Sequence, residues 1–314
     1  MTKARFIAAL VSLPFAANVA SAQTVGLGTT QGGVVPQLSA AIAKQVSEKT
    51  DLRMRTQGMA STGQYAPRVN AGQLEFGIAN VIETTFAYKG TEIFEGKPNP
   101  DLRTAFVLFS FPVAFFVQKG SDIKTVADLG DRKVPAGWTS QRLGDYLFRG
   151  FFANVGFSAD KTKKVTLAAM PRMWDEFVQG NVDVSFATFG GSKLQEIEAR
   201  VGGLRYLQLS REPAAVKAME EILPSAYVTE RTTSSGEKVN VMEYDFLVFT
   251  GAKVPDEVVY KTVAAIHGGK TELEATSGLW KAFRPDNMAK AIQVPFHPGA
   301  IKFYREKGLL PAQN

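Results

Sequence analysis

Cysteine is absent from the 314-residue chain, and histidine occurs only twice, at His267 and His297. Disulfides, thiolate nucleophiles, iron–sulfur clusters and thiolate zinc sites are therefore excluded, and histidine-rich metal centres with them. Long runs are scarce too. Beyond the N-terminus the longest apolar stretch, Ala105 to Val117, is 13 residues interrupted by Ser110 and Pro112, too short and broken to span a bilayer. No Lys/Arg cluster exceeds a pair and no basic stripe carries interleaved aromatics, so no nucleic-acid partner is expected. What is present is ordinary globular composition, 45% hydrophobic and 21% charged, unlike a disordered chain or a coiled coil.

Residues 1–22 have the layout of a secretory signal peptide. Lys3 and Arg5 form a basic start, Phe6 to Ala17 an apolar stretch, and Ala20-Ser21-Ala22 places small residues at the −3 and −1 positions of a cleavage site. A short buried helix or strand is the alternative. Without an Arg-Arg pair the route is Sec, with cleavage after Ala22 and a mature start at Gln23. Loss of Lys3 and Arg5 takes the net charge from +6 to +4. No cysteine follows the signal to carry a lipid, so the expected product is a soluble periplasmic protein.

The mature chain reads as two α/β lobes of one plan. Thr24 to Leu27 is strand-like and enters the loop Gly28 to Gly33; Leu38, Ile42 and Val46 mark a helix. Strands follow at Asp51 to Thr56 and Leu74 to Ala79, separated by the loop Gly58 to Gly63 and a helix, which predicts a mostly parallel sheet. The pattern returns about 109 residues later: Lys133 to Ala136, the loop Gly137-Trp138-Thr139-Ser140, the helical stripe Leu143, Leu147, Phe151 and Val155, then strands at Lys164 to Ala168 and Val182 to Ala187. Gly72-to-Ala79 against Gly180-to-Ala187 is the closest internal match, although helix–Gly–strand boundaries also coincide by chance. Two extended runs, Ala105 to Gln118 and Val239 to Thr250, are expected to cross between the lobes. The first would reach about 46 Å at ~3.3 Å per residue. Lobe 1 is then 23–112 plus 245–314 and lobe 2 is 113–244, with a hinge near Phe111–Val113 and Tyr244–Leu247.

Function is expected in the loops. In an open α/β sheet, ligands sit beyond the carboxyl ends of the strands, where helix N-termini offer free N–H groups. Four Gly/Ser/Thr-rich segments fall there, and they supply the expected ligand contacts: Thr30, Gly32, Gly33 and Val34; Ser61, Thr62 and Gly63, with Asn80 after the third strand; Gly137, Trp138, Thr139, Ser140 and Arg142; and Thr188, Phe189 and Gly190. Arg142 or Arg172 could clamp a carboxylate, Trp138 and Phe189 could enclose a ligand, and each has an ordinary packing or surface role as its alternative. Gly26 to Gly32 with Asp51 could instead be a loose dinucleotide fingerprint. His297 suits a cap of the last helix better than a base, since no nucleophile elbow accompanies it. Glu75 and Asp183, at equivalent strand starts, belong to the far end of the sheet and read as structural.

The chain resembles the TAXI family of solute receptors for TRAP transporters. The residues that carry the resemblance are Val25 to Gly33, Ala60-Ser61-Thr62-Gly63, Ala71 to Ala79, Ala87-Tyr88-Lys89-Gly90, Asn99 to Arg103, Ser121 to Leu129, and Pro295-Phe296-His297-Pro298-Gly299-Ala300, in family order. The resemblance implies an α/β, type II periplasmic-binding-protein fold, a monomer without cofactor or catalytic residues, and TRAP membrane permease subunits as partners. Implied ligands are glutamate, glutamine, 2-oxoglutarate or another small carboxylate. Three departures sit where the substrate should be held: Val34-Val35 in place of an aromatic, Asn80-Val81-Ile82 in place of Gln-x-Asp, and Gly137 to Gln141 in place of a Gly-Ser-Gly-Thr loop. A sensor docking a membrane kinase and an exported enzyme are the rival readings.

Overall fold

The structure, a computed structural model, describes residues 23–31 and 34–310. The signal segment, Gly32 and Gly33 lie outside the described residues. Strand and helix alternate from the start: β1 (Gln23–Thr30), α1 (Val35–Lys49), β2 (Leu52–Met59), α2 (Thr62–Asn70), β3 (Phe76–Asn80) and α3 (Val81–Lys89). The long β4 (Leu102–Gln118) leads into β5 (Lys133–Ala136), α4 (Leu143–Asn154), β6 (Lys163–Thr166), α5 (Met170–Val178), β7 (Ser185–Thr188), α6 (Ser192–Val201), β8 (Leu204–Leu207), α7 (Pro213–Ile222) and β9 (Tyr227–Thr232). The return strand β10 (Lys238–Gly251) precedes α8 (Asp256–His267), α9 (Lys270–Thr276) and α10 (Pro298–Glu306), which close the first half.

The two extended runs are strands, as expected, and they pair with each other. β10 runs antiparallel to β4 from Met242 opposite Val113 to Gly251 opposite Leu102, with irregularities between Asp245 and Leu247 and between Val248 and Phe249. On one side of this ladder the order is β2-β1-β3-β10, and β7 pairs with β4 on the other. β5 and β6 form a parallel pair of their own, joined to the start of β7 by the N–H of Asp183 donating to the Lys133 carbonyl. The two halves therefore share one strand order, with β6-β5-β7-β4 repeating β2-β1-β3-β10. The sheet is not mostly parallel. Only β1–β2, β1–β3 and β5–β6 are, because the crossing strands run against the strands they join.

Glu75 and Asp183 perform the same structural task in each half. Glu75 Oε2 accepts from the N–H of Gly26 at 2.6 Å and Asp183 Oδ2 from that of Lys133 at 2.7 Å, each tying the third strand to the first. β1 runs on to Thr30, so the expected loop begins only after it; Gly28 lies inside the strand because Tyr65 and Leu74 pack where a Cβ would stand. His297 caps α10, its Nδ1 accepting from the N–H of Gly299 at 3.1 Å. Val258, Val259, Val263 and Ile266 bury one face of α8, which packs on α1 and α10.

Gly77 in β3 sits under the ring of Phe249, which stacks on Tyr65 at 6.1 Å. A methyl group there would collide with that ring. Gly77→Ala is expected to cost about 1–3 kcal/mol and to lower the Tm in a thermal melt; an unchanged Tm would contradict this packing.

Candidate functional site

A cavity of about 190 Å³ opens where the strand ends of both halves face each other, and each of the four expected segments contributes to it. Thr30 and Val34 come from the first, Ala60, Ser61 and Thr62 from the second, Ser140 and Gln141 from the third, and Thr188 from the fourth. The crossing strands add Phe111 and Val113 from β4 and Tyr244 and Phe246 from β10. From the second half come Leu143, Met170, Trp174 and Phe186. The lining is therefore largely apolar and aromatic.

Of the expected contacts, Thr30, Val34, Ser61, Thr62, Asn80, Ser140 and Thr188 line this cavity. The others do not. Gly137 and Arg142 border a separate cavity of about 330 Å³ in the second half, with Arg149 and Lys164, because Asp145 draws the N–H groups of Gly137 and Trp138 onto its carboxylate at 2.8 and 3.0 Å. Trp138 is buried in the core against Gly144 and Phe186 rather than facing a ligand. Thr139 is exposed and its N–H donates to the Leu167 carbonyl. Gly63 lies on the outer side of the first turn of α2. Arg172 is 59% exposed and pairs with Glu176 one turn along α5 at 2.5 Å. Phe189 packs on Tyr206 at 5.8 Å, and Gly190 makes the exposed turn before α6 at φ 73°.

Neither arginine expected to hold a carboxylate thus reaches the cavity, and among the described residues no Lys or Arg lines it. Its one charged side chain is an acid, Glu83. Asn80 caps α3 by accepting the Glu83 N–H at 2.8 Å, and its Nδ2 donates to Glu83 Oε2 at 2.6 Å. Thr62 Oγ1 donates to the same oxygen at 3.3 Å. The pattern Asn80-x-x-Glu83 is an N-terminal helix signature legible in the sequence, and it would have located both α3 and this carboxylate. Burial pushes the Glu83 carboxyl above the usual carboxylate range, against the lowering effect of these two donors. Tyr65 and Tyr244 beside it are raised too, by burial first and in part by the Glu83 charge. Tyr65 is held by donating to the Ile78 carbonyl at 2.7 Å. The helices that begin around the cavity at Val35, Thr62, Leu143 and Met170 carry no side-chain cap.

The profile of the NMT1-like family matches residues 26–308, nearly the whole described chain. The chain belongs to the NMT1-like family. Solved structures similar to this NMT1-like chain include PhnD1 of Prochlorococcus marinus in complex with methylphosphonate (TM-score 0.60, 10% identity, covering 92% of this chain and 99% of that one). MatC of Rhodopseudomonas palustris with bound malate (TM-score 0.54, 12% identity, 85% and 92%) and a TctC solute binding protein from Polaromonas (TM-score 0.54, 15% identity, 91% and 97%) are similar as well. At these identities the likeness shows the fold: two α/β lobes of the type II periplasmic-binding class.

A carboxyl raised by burial stabilises the fold most below the ordinary carboxylate pKa of ~4.3, and that contribution is lost as pH rises through its folded value. Glu83→Gln keeps an acceptor for Asn80 and Thr62 without the charge. The Tm of the empty variant should exceed that of the unaltered protein at neutral pH, and the gap should shrink towards pH ~4; melts at a series of pH values would show the opposite order if Glu83 were a stabilising cap.

Proposed function

We propose that the chain is an extracytoplasmic receptor that captures a small solute between its lobes and hands it to a TRAP-type, ion-gradient-driven membrane permease. The observation that supports this most directly is the cavity itself. All four loop clusters and both crossing strands converge on it, so a bound solute would touch both halves and the strands between them. A ligand shifts a conformational equilibrium only if it binds one state better, and contacts to both lobes exist only when they are together.

The lobes, 23–112 with 245–314 and 113–244, bend about Phe111–Val113 and Tyr244–Leu247 in this reading. Contacts across the mouth suit a closed form: Phe86 of α3 meets Tyr146 of α4 at 5.1 Å, and Glu92 reaches Arg149 at 3.4 Å. Removal of a signal peptide after Ala22 would deliver the protein to the periplasm, and no helix among the described residues is long and apolar enough to cross a membrane. The finer assignment to the TAXI receptors rests on the ordered motifs of the sequence. No catalytic group is assigned in this reading.

Protein unfolded and refolded to strip retained solute should respond to one chemical class in a thermal-shift panel of dicarboxylates, 2-oxo acids, amino acids, amines and NAD. At ~100 times its Kd, a ligand adds ~2.7 kcal/mol of stability. Because the chain has no cysteine, Arg68→Cys with Gln195→Cys would label α2 and α6 selectively. Energy transfer between the labels should rise with the active compound. A response to NAD alone, or a shift without approach of the labels, would overturn the receptor reading. Arg142→Ala and Arg172→Ala should leave the shift unchanged.

A further inference from the structure

Resting on that receptor reading, we infer that the solute carries a protonated amine, received by Glu83, on an apolar body of about the size of one aromatic ring; acids that lack an amine are rejected. Three observations carry this. First, Glu83 is the single charged side chain of the lining, and no cation among the described residues answers it. Its Oε2 accepts from Asn80 and Thr62, whereas Oε1 has no protein donor among the described residues. A carboxylate held rigidly by one oxygen, with the other free in a cavity, is arranged to accept a donor from outside the protein.

Second, the rest of the lining suits a cation as well. Tyr65, Phe111, Trp174, Phe186, Tyr244 and Phe246 all line the cavity. Aromatic faces attract an ammonium and repel an anion, and a cavity lined by rings and one carboxylate is suited to organic cations. Trp174 is fixed by its Nε1 donating to the Phe186 carbonyl at 2.9 Å, so this wall is built before a solute arrives. Third, size sets the body. A cavity of ~150 Å³ admits benzene, so about 190 Å³ admits a ring with a short arm. A dicarboxylate or 2-oxo acid would instead bring like charge to a half-desolvated Glu83, which costs affinity rather than adding to it.

Matched probes test this: phenethylamine, 3-phenylpropionate and 3-phenylpropionamide share a ring and an arm and differ in charge. Calorimetric titration of the full mature chain should show phenethylamine binding at least about tenfold more tightly than either of the others. Glu83→Gln should weaken phenethylamine about ten- to a hundredfold while changing the neutral amide by no more than about threefold. The amide also reports that the variant is folded. Lowering the pH from about 8 to 4, below the ordinary carboxylate pKa of ~4.3, leaves an alkylamine charged. Protons then compete for Glu83, so phenethylamine affinity should fall in the unaltered protein and stay level in Glu83→Gln. The neighbours facing this carboxylate are Thr62 and Tyr65 from α2, Asn80 at the end of β3, and Tyr244 from β10. Both phenols stay protonated over that range, so none of these groups titrates in its place. Preference for 3-phenylpropionate, equal affinity for all three, no binding by any of them, or indifference to Glu83→Gln would overturn the inference. The receptor reading would then stand or fall separately on the broad panel and the labelled pair.

Discussion

The antiparallel ladder between β4 and β10 is the constraint on which the molecule depends. The rest of the main sheet hangs on these two strands: β3 and β9 pair with β10, β7 and β8 with β4, and β1 and β2 follow through β3. A ribbon of two strands is the narrowest connection a sheet allows, so it bends more easily than the layers on either side. Its pairing is irregular between Asp245 and Leu247, and such irregularities increase local twist and flexure. Phe246 stands at that irregularity, meets Phe111 at 5.0 Å across the ladder, and lines the cavity. The residues that would feel a solute are therefore the residues about which the halves would turn. Contact and conformational change need no separate relay between them.

The halves share a strand order but not a chemistry. Equivalent carboxylates, Glu75 and Asp183, lock equivalent strands, so both halves turn the same edge toward the cleft. From that edge the first half offers the polar Thr30, Ser61, Thr62, Asn80 and Glu83 beside Val34, Val35 and Tyr65, while the second offers Leu143, Met170, Trp174 and Phe186 beside the uncharged Ser140, Gln141 and Thr188. The entry to the helix after the third strand accounts for part of this difference. In the first half α3 starts directly at Asn80, which turns Glu83 into the cavity; in the second, Phe189-Gly190-Gly191 intervenes, and Phe189 turns away to Tyr206. The charged group comes from the first half, and most of the second half's share is apolar.

Much of the fold was legible in the sequence because hydrophobic periodicity and glycine punctuation report local geometry directly. The crossing strands showed as unusually long extended runs rich in apolar residues, and the cap role of His297 followed from Pro298 behind it. The site was legible only at the level of loops. Thr30, Val34, Ser61, Thr62, Asn80, Ser140 and Thr188 come together at the cavity because loop ends converge in this class of fold. Arg142 and Arg172 stay outside the cavity, and composition cannot say which way a side chain turns: one borders another cavity, and the other pairs along its own helix. The aromatic floor was missed for a related reason. Phe111, Tyr244 and Phe246 lie in runs whose pattern says only that they are buried, and core and cavity lining look alike in one dimension. Glu83 went unseen although Asn80 four residues after Phe76 announced a helix start.

Glu83 also explains why a charged group persists in an otherwise apolar cleft. A capping acid at the start of a helix ordinarily faces water, where the helix dipole favours it at little cost. Here burial opposes ionisation strongly enough to raise the carboxyl despite two donors and the favourable end of α3. A glutamine would satisfy Asn80 and Thr62 without that penalty, so local packing alone does not require the acid. A group that weakens the empty protein and leaves one oxygen without a protein donor gains its compensation when something charged arrives. The energetic cost and the free acceptor lie on the same side chain, so in the receptor proposed above the polar selectivity would sit in the first lobe and closure of the second would exclude water from the pair.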